Sequence, residues 1–131
     1  MNYKIIDIPK INNTKGNIGV IENDTIPFDV KRVFYLFDVP SGAKRGGHAN
    51  KKTNQVLIAI SGSFDVVLKD GNSKEIVKLN RPDKGLLIEN NIWRELENFS
   101  SGSVCLVLAS EEFSEADYIR NYKDYLSFVK E

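Results

Sequence analysis

Short runs of β-forming residues, separated by turn residues about every ten positions, constrain the fold of this 131-residue chain most. The runs are YKIIDI, NIGVI, VKRVFYLFDV, QVLIAISGSFDVVLKDG, KEIVKL, GLLIE, IWRELENF and SVCLVLAS. Ser61-Gly62-Ser63 divides the longest run into two strands, and Asp70-Gly71-Asn72 is a typical hairpin turn. Many short strands at even spacing indicate an all-β sandwich or barrel. The length fits a single domain over residues 1–131.

The last stretch, SEADYIRNYKDYLSFVKE, has a different period. Four of its apolar and aromatic residues lie three or four positions apart, which is typical of an amphipathic helix: Tyr118, Tyr122, Tyr125 and Val129. We expect Ser114 to cap this helix, with Asp117 at the capping-box position. The aromatic stripe is expected to pack against the core. The chain is therefore predicted to be a β-barrel closed by one short C-terminal helix.

Composition and charge exclude several classes of function. Lys plus Arg and Asp plus Glu both number 18, so no net field attracts nucleic acid or an anionic membrane. The N-terminus lacks the apolar core of a signal peptide, and no apolar run reaches the length of a membrane helix. Cys105, the only cysteine, lies in an apolar run and is expected to be a buried free thiol. We expect a soluble, cytoplasmic protein.

The stretch around the only histidine has the spacing of a metal-binding motif without most of its ligands. The positions follow the first cupin motif, G-x5-H-x-H-x4-E-x6-G: Gly42, His48, Asn50, Gln55 and Gly62. Residues two apart on a strand face the same side, so His48 and Asn50 are expected to point together into the barrel, near Gln55. A later position in GLLIENNIWRELENF is Arg94. One imidazole, two amides and a cation are poor ligands for a divalent metal, so we predict no metal.

The same residues suit proton transfer. An imidazole exchanges a proton near neutral pH, and an adjacent guanidinium favours its neutral form and stabilises an oxyanion. His48 and Arg94 together would therefore suit proton abstraction from a carbon next to a carbonyl group. The alternative, that His48 is only a hydrogen-bonded residue of the barrel interior, stays open on spacing alone.

The chain resembles the dTDP-4-keto-6-deoxyglucose 3,4-ketoisomerases, which are cupin enzymes of nucleotide-sugar pathways that lead to 3-amino-3,6-dideoxyhexoses. The resemblance extends over nearly the whole length and depends on KRVFYLFD, RGGHANKKTNQVLIAISGS, GLLIENNIWRELENFS and LVLASEEFSEADYIRNY. It implies a cupin fold and a reaction without a cofactor. A base removes the proton at sugar carbon 3, and an enediol is reprotonated at carbon 4.

The resemblance also implies roles for individual residues. His48 of R-G-x-H matches the catalytic base, and three basic residues match positions expected near the nucleotide diphosphate: Arg45, Arg32 and Lys51. Gln55 and Trp93 lie in the matching motifs and are expected at the substrate site. Arg94 in W-R-E, with Lys15 as its partner in NTKGN, resembles members that form the gluco product rather than the galacto product.

Two departures from the family pattern affect these expectations. Asn50 stands where relatives usually have a second histidine; an amide would replace it for orientation but not for proton relay. Relatives often carry two tyrosines in the motif RVFYLF, where this chain has Phe34 and Tyr35. Tyr35 is the remaining candidate catalytic phenol, although strand alternation directs it away from Phe34, and a packing role is an equal alternative.

The leading hypothesis is a 3,4-ketoisomerase acting on a dTDP-linked 4-keto-6-deoxy sugar. Two alternatives stay open: a cupin epimerase of nucleotide sugars, and a cupin that binds a dTDP-sugar without turnover. A storage or structural cupin is a weaker option. The family resemblance further implies a homodimer, in which the apolar segment YKIIDI would be an exchanged strand.

Overall fold

The computed structural model describes residues 1–130, and within that range the chain forms twelve strands and one α-helix. The strands are β1 (Tyr3–Asp7), β2 (Lys10–Ile11), β3 (Ile18–Gly19), β4 (Arg32–Leu36), β5 (Arg45–Asn50), β6 (Gln55–Ser61), β7 (Phe64–Lys69), β8 (Lys74–Leu79), β9 (Lys84–Ile88), β10 (Trp93–Glu97), β11 (Val104–Ala109) and β12 (Tyr118–Ile119). The helix, α1, spans Tyr122–Val129. Single turns of 3-10 helix lie at Asn23–Thr25 and Glu115–Asp117.

Two five-stranded antiparallel sheets pack face to face. The first sheet has the order β1-β9-β6-β11-β4, and the second has the order β12-β5-β10-β7-β8. Buried side chains of both sheets meet in one hydrophobic cluster, which includes Leu57 and Val107 of the first sheet and Val66 and Leu96 of the second. Alternation along each strand directs these residues inward, as period-two patterning requires. The prediction of an all-β sandwich with a short C-terminal helix is confirmed.

The hairpin between β6 and β7 depends on a glycine. Gly62 has a φ of +69°, in the left-handed region that side chains disfavour. A Cβ atom there would approach Ser103 Cα to 2.9 Å, which is closer than atoms pack. Gly62 therefore allows the turn predicted at Ser61-Gly62-Ser63 and brings β7 into the second sheet.

The helix packs on the outer face of the second sheet. Tyr125 is fully buried against Trp93, with ring centroids 5.7 Å apart. Its hydroxyl, which has one hydrogen to donate, lies 2.8 Å from the backbone oxygen of Asn91 and 3.2 Å from that of Lys69, with Asn91 the nearer acceptor. Aromatic burial and this hydrogen bond therefore hold a helix of eight residues that would be unstable alone.

The helix begins later than the sequence predicts, and the assignment of Ser114 as its cap is wrong. Ser114 precedes the 3-10 turn and makes no side-chain capping bond. Tyr118 and Ile119 instead pair with β5, which uses their backbone groups in a sheet. The cap is Asn121, whose side chain accepts from the Asp124 backbone N–H. No helix within residues 1–130 is long and apolar enough to cross a lipid bilayer.

Candidate active site

A cavity of about 280 Å³ opens between the two sheets and carries an excess of positive charge. It is lined by Arg32, Phe34, Leu36, Arg45, Gly46, Gly47, His48, Gln55, Leu57, Arg94, Leu96, Val107, Phe113, Tyr118 and Arg120. Four of these residues are arginines, and the lining includes no carboxylate. Such a cavity favours an anionic ligand.

Strand pairing brings the imidazole and a guanidinium side by side. His48 on β5 is the register partner of Arg94 on β10. The register shifts between Arg94 and Leu96, where Gly46 adopts a φ of +74°. A β-bulge of this kind re-aims neighbouring side chains and needs glycine at the positive φ. The bulge in R-G-G-H therefore belongs to the geometry that presents His48 to the cavity.

The surroundings of His48 keep its ring neutral. Burial lowers the pKa of His48 from 6.5 to about 3, and the charges of Arg94 and Arg120 act in the same direction. Hydrogen bonds to Asn50 and to the Gly46 carbonyl act in the opposite direction but are weaker. At neutral pH the imidazole therefore has a lone pair free to accept a proton.

Asn50 lies directly beside the imidazole, as its place two residues along β5 predicts. Its Oδ1 is 3.1 Å from His48 Nε2, and its Nδ2 donates to Asp117 Oδ2 at 3.0 Å. Only 1% of Asn50 is exposed, and it does not line the cavity. Asn50 therefore contacts the imidazole of His48 but does not reach the cavity that a ligand would occupy.

Arg94 is buried without a charged partner among the described residues. Its Nη1 donates to Gln55 Oε1 at 2.7 Å, and its Nη2 donates to the Ile92 carbonyl at 3.0 Å. Burial lowers the pKa of Arg94 to about 10, so the guanidinium still carries its charge at neutral pH. Arg94 Nε and Gln55 Nε2 are buried donors without a protein partner. Buried unpaired donors are costly, and a ligand oxygen in the cavity would satisfy them.

Two further arginines of the predicted set also reach the cavity. Arg32 lies over the ring of Phe34, 4.2 Å from its centroid, and its Nη2 donates to the Tyr118 hydroxyl at 3.3 Å. These contacts restrict the guanidinium to one side of the cavity. Arg45 lines the cavity but is exposed at its rim. The structure thus brings together His48, Arg94, Gln55, Arg32 and Arg45 in one cavity, with Asn50 behind the imidazole.

Sequence reasoning missed three residues of this cavity. Tyr118 was assigned to the helix stripe, but on β12 its ring lies 4.8 Å from the His48 ring between centroids. Arg120 stacks over Tyr118 at 4.4 Å and forms two hydrogen bonds with Glu115. Phe113 packs against both Arg32 and Tyr118. The motif D-Y-I-R-x-Y contains Tyr118 and Arg120, and the helical period of that segment hid their strand pairing.

Four predicted site residues lie elsewhere. Tyr35 is 59% exposed on the outer face of the first sheet, so the structure does not place this phenol in the cavity. Trp93 points away from Arg94 on the same strand and packs under the helix, where its Nε1 donates to Glu95. Lys15 is exposed in the turn between β2 and β3. Lys51 lines a separate groove of about 650 Å³, which shares only Phe113 with the cavity.

The donor groups around His48 do not fit a divalent metal. The side chains at the motif positions are one imidazole, the amides of Asn50 and Gln55, and the Arg94 guanidinium, which repels a cation. Within residues 1–130, no three His, Cys, Asp or Glu side chains lie close enough together to hold a metal ion. The chemistry of the site is therefore that of an anion-binding cavity with one base.

Comparison with known proteins identifies the family. The model of the family described as FdtA: WxcM-like, C-terminal, matches residues 1–130. A TDP-4-oxo-6-deoxy-alpha-D-glucose-3,4-oxoisomerase from Aneurinibacillus thermoaerophilus is 42% identical over 130 residues, which cover 98% of this chain and 94% of that protein. The chain belongs to the family of sugar 3,4-ketoisomerases. This confirms the family and the isomerase class predicted from the sequence.

Solved structures of this family share the whole fold. A sugar 3,4-ketoisomerase from Thermoanaerobacterium thermosaccharolyticum, crystallised in complex with TDP, is 43% identical with a TM-score of 0.96, and the match covers 98% of this chain and 95% of that chain. A TDP-quinovose 3,4-ketoisomerase from Campylobacter jejuni is 47% identical with a TM-score of 0.90, and the match covers 96% of this chain and 98% of that chain. The ketoisomerase therefore has the cupin-type fold that the motif spacing predicted.

Proposed function

We propose that this ketoisomerase converts dTDP-4-keto-6-deoxyglucose into the 3-keto-6-deoxy sugar, with His48 as the base. The observation that carries the proposal is the pairing of His48 with Arg94 in one cavity that holds four arginines and no carboxylate. The Aneurinibacillus relative is named for action on this class of substrate, and the Thermoanaerobacterium relative binds TDP. The substrate's diphosphate supplies the negative charge that the arginines require.

The proposed reaction moves hydrogen without any net gain or loss of atoms. His48 takes the proton from sugar carbon 3, and the electron pair moves to the carbonyl oxygen on carbon 4, forming an enediolate. Arg94 stabilises the negative oxygen, while Gln55 offers its free Nε2–H as a donor. The hydroxyl proton on the oxygen at carbon 3 is transferred to the negative oxygen at carbon 4. The electron pair of the resulting oxyanion at carbon 3 then forms the ketone there, while carbon 4 takes the proton back from the His48 imidazolium and leaves the ring neutral.

We propose that His48 is a weak base in the free enzyme and becomes a stronger base when the substrate binds. Burial, and then the charges of Arg94 and Arg120, lower the pKa of His48 in the free protein. A bound diphosphate would neutralise part of this positive charge, and the pKa of His48 would then rise in the complex. Substrate binding and proton abstraction are thereby linked through the arginines of the cavity.

The gluco configuration at carbon 4 of the product is also proposed. Arg94 follows Trp93 in the arrangement that resembles gluco producers, and the Campylobacter relative at 47% identity is named for TDP-quinovose, the 6-deoxyglucose sugar. Lys15 was expected to cooperate with Arg94, but it lies outside the cavity of its own chain. We further propose that an aminotransferase uses this 3-keto product to make a 3-amino sugar for surface polysaccharide. The proposed location of the enzyme is the cytoplasm.

A homodimer is proposed from an uncovered apolar face of the first sheet. Val33, Tyr35 and Ile60 are each about half exposed on its outer side, next to a cluster that includes Ile58 and Leu108. Apolar area of this kind is typical of an interface. A packing role at such an interface would account for Tyr35. Light scattering that shows a monomer at working concentration would contradict this proposal.

The experiment that tests the function is incubation of the protein with dTDP-4-keto-6-deoxyglucose, followed by NMR of the sugar. The proposal expects the ketone to move from carbon 4 to carbon 3, with coupling constants of the gluco product. An unmoved ketone with exchange at carbon 3 or 5 would identify an epimerase. Binding of dTDP without conversion or exchange would identify a binding protein.

A further inference from the structure

Asp117 lies behind the imidazole and contacts it through one intervening side chain. Its Oδ2 accepts from Asn50 Nδ2 at 3.0 Å and from the Thr53 hydroxyl at 2.6 Å, while its Oδ1 accepts from the Lys52 backbone N–H at 2.6 Å. Burial opposes its charge, but the hydrogen bonds from Thr53, Asn50 and Lys52 lower the pKa of Asp117. Asp117 is therefore a carboxylate at neutral pH, with acceptors only.

This carboxylate determines which way the Asn50 amide faces. An amide has one end that donates and one that accepts, and a carboxylate pairs only with the donor end. Asn50 must direct its Nδ2 to Asp117, and its Oδ1 then faces His48 Nε2 at 3.1 Å. Because Oδ1 accepts only, His48 Nε2 must be the donor of that contact.

We propose that Asp117, acting through Asn50, is a positioning residue that keeps the hydrogen of the neutral His48 ring on Nε2 and its lone pair on Nδ1. The inference rests on the proposed function only for its catalytic consequence, since the location of the ring hydrogen is a property of the resting protein. It also assigns a role to Asn50, which stands where relatives usually have a histidine. Asp117 fixes the orientation of the Asn50 amide, and that orientation determines which nitrogen of the His48 ring carries the hydrogen.

One other acceptor competes for the ring hydrogen: the backbone carbonyl of Gly46, whose contact with the imidazole is weaker in its effect than the contact of Asn50. The cationic groups do not select a nitrogen. Arg94 on β10 and Arg120 after β12 favour a neutral ring, and all four arginines of the cavity are donors only. Tyr118 faces His48 through its ring. Asp117 is thus the acidic group that reaches the imidazole through a continuous chain of hydrogen bonds.

The ring hydrogen is observable because His48 is the only histidine of the chain. A long-range proton–nitrogen NMR correlation spectrum of the ligand-free protein at neutral pH distinguishes a protonated ring nitrogen from one with a free lone pair. The proposal expects the hydrogen on Nε2 in the wild-type protein. A wild-type spectrum with the hydrogen on Nδ1 overturns it without any variant.

Asp117→Asn tests the cause. The introduced amide is expected to keep its oxygen on the Lys52 N–H and to present its NH₂ to Asn50, which then turns over and donates Nδ2 to His48 Nε2. The ring hydrogen should move to Nδ1. Thr53→Val is the matched control, because it removes another hydrogen bond to Asp117 but leaves the amide orientation, so the hydrogen stays on Nε2.

A carboxylate–amide exchange provides the rescue. In the double variant Asn50→Asp, Asp117→Asn, the new carboxylate faces the imidazole directly and accepts from Nε2–H, so the spectrum should return to the wild-type pattern. Asp117→Asn should reduce kcat at least about tenfold with little change in KM, since enzymes whose histidine is held in the wrong tautomer lose up to about 10⁴. A hydrogen that stays on Nε2 in Asp117→Asn overturns the proposal. If the ring hydrogen moves as expected in all variants but the wild type does not convert the ketosugar, the proposed function is wrong and the role of Asp117 stands.

Discussion

The strongest quantitative consequence of the structure concerns the pH dependence of stability. His48 has a pKa of about 3 in the folded protein, because burial and the charges of Arg94 and Arg120 disfavour its protonated form. In the unfolded chain the pKa returns to 6.5. Between these two values the unfolded state binds one proton more than the folded state. Stability contributed by the neutral ring is therefore complete above pH 6.5 and is lost as the pH falls toward 3.

The magnitude follows from the two pKa values. Each pH unit between them costs about 1.4 kcal/mol of folding free energy, so lowering the pH from 7 to 5 should cost about 2 kcal/mol through His48 alone. The figure changes little for any folded pKa below about 4, because the ring is then neutral in the folded protein throughout this range. Most carboxylates titrate at lower pH, and the chain has no second histidine.

The assay is urea unfolding at pH 7 and pH 5 for the wild type and for His48→Asn, which removes the titrating ring. Between pH 7 and pH 5, the unfolding free energy of the wild type should fall by about 2 kcal/mol more than that of His48→Asn. Leu96→Val, which alters the cavity wall but keeps the histidine, is the control and should retain the wild-type pH dependence. Equal pH dependence in the wild type and His48→Asn would refute the assigned burial of the imidazole.

Three further predictions concern the cavity and its support. Arg94→Met should lower kcat by about 10² to 10³, since it removes the donor to the enediolate oxygen, and should move the acid limb of kcat/KM to higher pH because a cation beside His48 is lost. Arg45→Ala should raise KM about tenfold with little effect on kcat, whereas Lys44→Ala, which alters an exposed ion pair with Glu97, should leave steady-state kinetics unchanged. Tyr125→Phe should lower the unfolding free energy by about 1 kcal/mol at pH 7, as measured by urea unfolding, because the hydroxyl that donates to the backbone oxygens beside it is lost.

The strands and the motif spacing could be predicted because they depend on local patterns. The β-forming run QVLIAISGSFDVVLKDG, divided at Ser61-Gly62-Ser63, predicted the strands β6 and β7 and the turn between them. The pairing of His48 with Asn50 followed from two-residue spacing on one strand. Each of these features is set by residues close together in the sequence.

Features that depend on distant pairing were not predictable in the same way. Tyr118 has the spacing of a helical residue, but pairing with β5 makes it a strand residue that faces His48. Asp117 fits a capping box by spacing, yet it binds Asn50, 67 residues away in sequence. Tertiary contacts override local propensity at such positions. The resemblance to a family gave the role of His48, whereas the orientation of its ring depends on contacts visible only in the structure.

We propose that one imidazole, that of His48, moves hydrogen between adjacent carbons of a ketosugar. The most direct measurement follows dTDP-4-keto-6-deoxyglucose by NMR in deuterated water with the wild type and with His48→Asn. We expect a 3-keto product from the wild type. From the variant we expect unchanged dTDP binding, with neither product nor deuterium at carbon 3 or carbon 4. Product formation by His48→Asn at a rate within about tenfold of the wild type would contradict the role of His48 as the base.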